Sequence, residues 1–124
     1  MSRISNEVAA NLLCGAFEGG SNYWYMIESY KTPEVTGKPW GEEYTPAYIS
    51  IPFSEDGAVM LVDCEDEEGD KFTLDKEAVA RGKKLLEEDE QYSHHFADVL
   101  NENDDACTGD VFLQLCVFGE VIYG

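Results

Sequence analysis

Asp110-Val-Phe-Leu-Gln-Leu-Cys-Val-Phe-Gly-Glu-Val-Ile-Tyr-Gly124 is the stretch whose reading decides the fold. Seven of the eight residues from Val111 to Phe118 are apolar, and the exception is Gln114. A helix built from them is hydrophobic nearly all round and has to be buried. Gly119 ends it, because a glycine just past the last turn takes the left-handed conformation that closes a helix. Val121, Ile122 and Tyr123 then have the β-branched and aromatic character of a strand returning to the core. Gln114, alone in a buried helix, reads as a core amide that must find hydrogen-bond partners.

Working back, Val8, Ala9, Leu12, Leu13, Ala16 and Phe17 recur at the helical period and predict a helix over residues 5–18, with Ser5 as N-cap and Gly19-Gly20 as its stop. A strand follows from Asn22 to Tyr30, with large residues on both faces. Residues 31–47 contain three prolines and two glycines and show neither period, which predicts a long irregular connection. Tyr48 to Phe53 and Ala58 to Cys64 read as strands joined by a turn at 54–57. A second turn at 68–70 leads into a strand from Lys71 to Leu74. Asp75 is placed to cap a helix from Lys76 to about Glu90 whose buried face includes Gly82. A short helix over 92–100, carrying Phe96, Val99 and Leu100 inward, leads through a polar connection from Asn101 to Asp105 into the final one. The expected fold class is α+β: a single domain covering residues 1–124, with a mostly antiparallel sheet and about three helices packed mainly on one face.

A chain of 124 residues is long enough to bury a core without disulfides or metal. Its apolar fraction of 44% is ordinary for a globular protein. Its charge is not: 26 acidic against 8 basic residues give a net charge of −18. Such a charge repels nucleic acid and anionic membranes, so direct binding to either is not expected and any macromolecular partner is basic. Cys14, Cys64, Cys107 and Cys116 show no paired spacing and read as free thiols in a reducing compartment. No signal peptide and no run approaching a membrane span is visible, and the expected location is the cytoplasm.

The search for chemistry returns little. Asp63 to Asp70 alternates carboxylates, but its glycine falls seventh where a calcium loop requires sixth, and Leu74 stands at the twelfth position. His94 and His95 are adjacent, so their side chains diverge and cannot readily share one metal. No nucleophile, phosphate-loop or metalloprotease motif is present. The reading is therefore a non-enzyme without cofactor or metal.

Two patterns carry functional readings. The first is charge: residues 55–70 hold eight acids and residues 87–110 nine more, with no basic residue in either segment. If Glu65, Asp66, Glu67 and Glu68 share a face with Glu87, Glu88, Asp89, Asp104 and Asp105, their carboxylates imitate the phosphates of a duplex and occupy a nucleic-acid-binding protein. Trp40 and Tyr44 would add contact area. The plainer reading of such runs is a solvated acidic surface. The second pattern is Asn22, Tyr23 and Trp24 after a Gly-Gly-Ser turn, which can line a small-molecule pocket. Its plainer reading is that the aromatics build the core. The chain could also form a homo-oligomer.

Gly19-Gly-Ser-Asn-Tyr-Trp-Tyr25 together with the closing stretch from Asp110 to Gly124 resembles a group of small proteins encoded by tailed phages and their prophages. The two blocks make up under a fifth of the chain. The resemblance implies expression in a bacterial host cytoplasm and assigns no activity and no catalytic residue. With the charge, it leads to the expectation of an acidic inhibitor or decoy of a basic host defence or nucleic-acid-handling protein. The alternative is a domain that sequesters a small molecule near Asn22, Tyr23 and Trp24.

Overall fold

A computed structural model describes residues 4–20, 24–31, 52, 57–65, 67–102 and 106–123. The elements in order are α1 (Asn6–Gly15), continued by a π-helical turn (Ala16–Gly20), β1 (Tyr25–Lys31), β2 (Ala58–Asp63), β3 (Lys71–Asp75), α2 (Lys76–Glu88), a 3-10 turn (Glu90–Tyr92), α3 (Ser93–Leu100) and α4 (Ala106–Phe118). The chain is an α+β fold with an antiparallel sheet in the order β1-β2-β3.

Local chemistry explains where the helices begin. Ser5 accepts a hydrogen bond from the Val8 amide at 3.1 Å, and Asp75 accepts one from Ala78 at 2.9 Å, each satisfying an amide that the first helical turn leaves without a partner. The α1 stripe is buried at Ala9, Leu12 and Leu13 and continues through Ala16 and Phe17.

The sheet is two-sided, as strand alternation requires. Val59 pairs with Leu74 and Leu61 with Phe72 across β2 and β3, and Ile27 of β1 lies opposite Leu61. This row faces the helices. On the other side Met26 is 58% exposed, and Lys71 forms an ion pair with Glu28 at 3.0 Å. A register shift between Ile27 and Ser29 leaves Glu28 as the extra residue of a bulge. Among the described residues β2 is the central strand.

α4 is the hub. Phe112, Leu113, Leu115 and Cys116 are fully buried, and the helix packs on α1, α2 and β3. Contact with both helices is backbone-close. A Cβ at Gly109 would lie 2.5 Å from the Leu12 carbonyl oxygen, and one at Gly82 would overlap the Cys116 sulfur. The glycine in α2 thus admits α4. The Arg81 guanidinium crosses the same contact and donates to the carbonyl of Cys116.

Two expectations need correction. Leu100, expected to point inward, is 44% exposed. No strand forms over residues 121–123: Gly119 turns the chain at φ +78°, and the backbone beyond it hydrogen-bonds to a side chain of α4. The strand expected at 48–53, apart from Pro52, and the connection carrying Trp40 and Tyr44 lie outside the described residues.

Candidate functional site

Gln114 organises the end of the chain. Its Oε1 accepts from the amides of Ile122 and Tyr123, both at 2.8 Å, and its Nε2 donates to the Tyr123 carbonyl at 2.8 Å and to Asp110 Oδ2 at 3.1 Å. A primary amide has two donor hydrogens and two acceptor lone pairs, so these four contacts satisfy it. The backbone of residues 122 and 123 is thereby tied to α4.

From Gln114 the polar network runs in two directions. Asp110 Oδ1 accepts from the Trp24 indole N–H at 2.8 Å. At the other end, the Tyr123 hydroxyl donates to Asp63 Oδ2 at 2.7 Å, and Asp63 Oδ1 accepts from the Glu65 amide at 2.9 Å. Asp63 and Asp110 are 4% and 7% exposed, and both are hydrogen-bonded, as buried carboxylates must be. Trp24 also stacks on Tyr123 at 5.9 Å and lies 5.0 Å from Phe118, while its carbonyl accepts from the Cys64 amide. The two sequence blocks from either end of the chain therefore meet in one buried cluster.

Over this cluster opens a cleft of about 530 Å³. Phe72, Val117 and Phe118 contribute its apolar surface, the tail residues Ile122 and Tyr123 form a wall, and Asp63, Glu65 and Asp70 supply carboxylates. Phe118 meets Phe72 and Tyr123 edge-on, with centroids 4.7 and 6.0 Å apart. Among the described residues, none of the eight that line the cleft is basic. Lys71, the nearest cation in sequence, faces the other side of the sheet, in its ion pair with Glu28.

The acidic residues singled out from sequence are placed as follows. Glu65, Glu67 and Glu68 are exposed on the turn between β2 and β3, and Glu65 reaches the cleft. Glu87 is half-buried and accepts from the Ile4 amide at 2.8 Å. Glu88 is exposed, and Asp89 caps the 3-10 turn through the Gln91 amide. Asp66, Asp104 and Asp105 lie outside the described residues.

Glu87 and the β2–β3 turn are anchored to different elements. Glu87 is tied to the N-terminal end of α1. The β2–β3 turn sits at the far end, where Tyr25 opposes Asp63 and its hydroxyl donates to the Phe17 carbonyl at 3.3 Å. The ten residues of α1 alone separate these ends by about 15 Å of helix.

For the aromatic pocket, Asn22 and Tyr23 lie outside the described residues. Trp24 is 0% exposed, so its ring belongs to the core and offers no surface to a ligand. Its contribution is one layer down, where it supports Tyr123 and Phe118 beneath the cleft. The cleft was missed from sequence because its residues come from positions 63–72 and 117–123; the polar residues Gln114 and Asp110 in an apolar helix were its only local signal.

Among the described residues no three histidine, cysteine or acidic side chains are grouped to hold a metal ion, and no helix is long and apolar enough to cross a membrane. Neither a protein-family description, nor a curated protein, nor a solved structure matches this chain.

Proposed function

We propose that the chain is a non-enzymatic acidic interaction protein that binds a basic, nucleic-acid-handling or defence protein of a bacterial host and occupies the surface its phosphates would take. The observation that supports this best is the cleft whose described lining includes three acidic residues and no basic one, on a chain of net charge −18. A phage origin is part of the proposal and rests on the two sequence blocks.

The geometry narrows the mechanism. Attraction between exposed charges is screened beyond ~8 Å at physiological ionic strength, so the foothold is a set of acids that lie close together. The β2–β3 turn with its cleft is the foothold that combines charge with apolar surface. Carboxylates there would exchange water and counterions for the partner's guanidinium and ammonium groups, in the manner of a phosphate backbone.

The alternative, a domain that sequesters a small molecule, is favoured by one feature: the cleft volume of about 530 Å³ lies within the range of ligand pockets. Displacement of a labelled DNA duplex from a basic DNA-binding protein decides between them. The proposal expects the chain to displace DNA more effectively than a polyglutamate peptide of equal charge. Displacement no better than that peptide's would remove the decoy reading.

A further inference from the structure

We infer that residues 119–123 form a gate: a strap that opens as one unit about Gly119 and uncovers the buried Trp24 ring beside the cleft, whatever the cleft binds.

Side chains fasten the strap. The Val121 amide donates to the Tyr92 hydroxyl at 3.3 Å, and the Ile122 and Tyr123 amides share Gln114 Oε1. Gln114 Nε2 also donates to the Tyr123 carbonyl. Three of these four bonds end on one side-chain amide, so turning that group aside breaks them together. Release is then cooperative, where the bonds of a strand ladder can fray one by one.

Tyr123 is the main anchor. It stacks on Trp24 and donates to Asp63, whereas Ile122 is 53% exposed, Glu120 is exposed and Val121 is half-buried. A segment with so little buried apolar surface opens at a lower free energy than the core it covers.

Gly119 supplies the joint. It stands at φ +78° between the buried end of α4 and the strap, and a Cβ there would meet nothing within 4 Å. Glycine passes between left- and right-handed backbone without the steric penalty of other residues. Ile122 and Tyr123 form a wall of the cleft, and Trp24 is 0% exposed against Tyr123. Opening removes that wall and adds the indole to the cleft surface.

Native-state hydrogen exchange of the unmodified chain in low urea is the first test, and it depends on no variant. The amides of Val121, Ile122 and Tyr123 should exchange through one common opening, at least about a hundredfold more often than those of Leu113 and Leu115. That opening should depend weakly on urea, because it exposes little surface. Three unrelated rates, or exchange only in step with Leu113 and Leu115, would overturn the gate.

Gly119→Ala strains the closed strap through its positive φ alone, with no clash. Because opening relaxes that strain, strap exchange should quicken about tenfold. Unchanged strap exchange would place the bend elsewhere and overturn the hinge. Trp40→Phe leaves Trp24 as the chain's one tryptophan. Adding Gln114→Leu to it should make acrylamide quench the Trp24 fluorescence severalfold more strongly. Equal quenching with and without Gln114→Leu would show that the ring stays covered and overturn the uncovering.

Discussion

The Tyr123 hydroxyl donates to Asp63 Oδ2 at 2.7 Å, joining the tail that follows the last helix to the end of the central strand. Tyr123→Phe keeps the ring and removes only this donor. Leaving a buried carboxylate oxygen short of a partner should cost about 1–3 kcal/mol in urea unfolding. Faster hydrogen exchange at Ile122 and Tyr123 should accompany it, showing that the tail has loosened while the sheet has not.

Gln114 and Leu115 are both 0% exposed but stabilise the fold differently. Leu115→Ala opens a cavity in the hub and should cost about 2–5 kcal/mol with little effect on the tail. Gln114→Leu retains bulk and removes the tail's hydrogen bonds, so exchange protection at residues 122 and 123 should collapse. Comparable protection in the two variants would show that the amide does not hold the tail.

Gly82→Ala tests the approach of α2 to α4. Helix propensity alone favours alanine by ~1 kcal/mol. The new methyl would overlap the Cys116 sulfur, so a net destabilisation of about 1–3 kcal/mol is expected. Cys116→Ala in the same chain should recover part of it. Strictly additive effects in a double-mutant cycle would contradict the contact.

Burial pushes the Cys116 thiol well above its ordinary value of 9.0, against the opposing pull of the nearby Arg81 charge. The folded state therefore keeps a proton that the unfolded state releases once the pH exceeds about 9. Stability from this group is complete below that pH and falls above it, by about 1.4 kcal/mol per pH unit. Cys116→Ala should flatten the alkaline slope by that amount. In native conditions a thiol reagent should modify the exposed Cys64 and Cys107 first and leave Cys116 untouched.

Local signals carried much of the fold. Ser5 and Asp75 cap where their hydroxyl and carboxylate chemistry places them, and the Val111–Phe118 pattern marks the buried hub because no solvent-facing side is left on it. Val121–Tyr123 misled for a physical reason. Its residues suit a strand, but the amides of Ile122 and Tyr123 are taken by the side chain of Gln114, eight and nine positions away, and that of Val121 by the Tyr92 hydroxyl. The Trp24–Asp110 bond, spanning 86 positions, leaves no periodic trace. The cleft depends on such long-range contacts, so the sequence reading reached Glu65 among its acids but none of its rings, Phe72, Phe118 and Tyr123.

The central claim is that the acidic turn and its cleft bind a basic protein in place of nucleic acid. Its most direct test is the salt dependence of DNA displacement from a basic DNA-binding protein by the unmodified chain and by Glu65→Gln with Asp70→Asn. The unmodified chain should displace the duplex and lose potency as salt rises, because its attraction is between exposed charges. The double variant should fold normally and displace at least several-fold less well, with a shallower dependence on salt. Equal potency of the two proteins at every salt concentration would contradict the claim and reduce the acidic turn to a solvated surface.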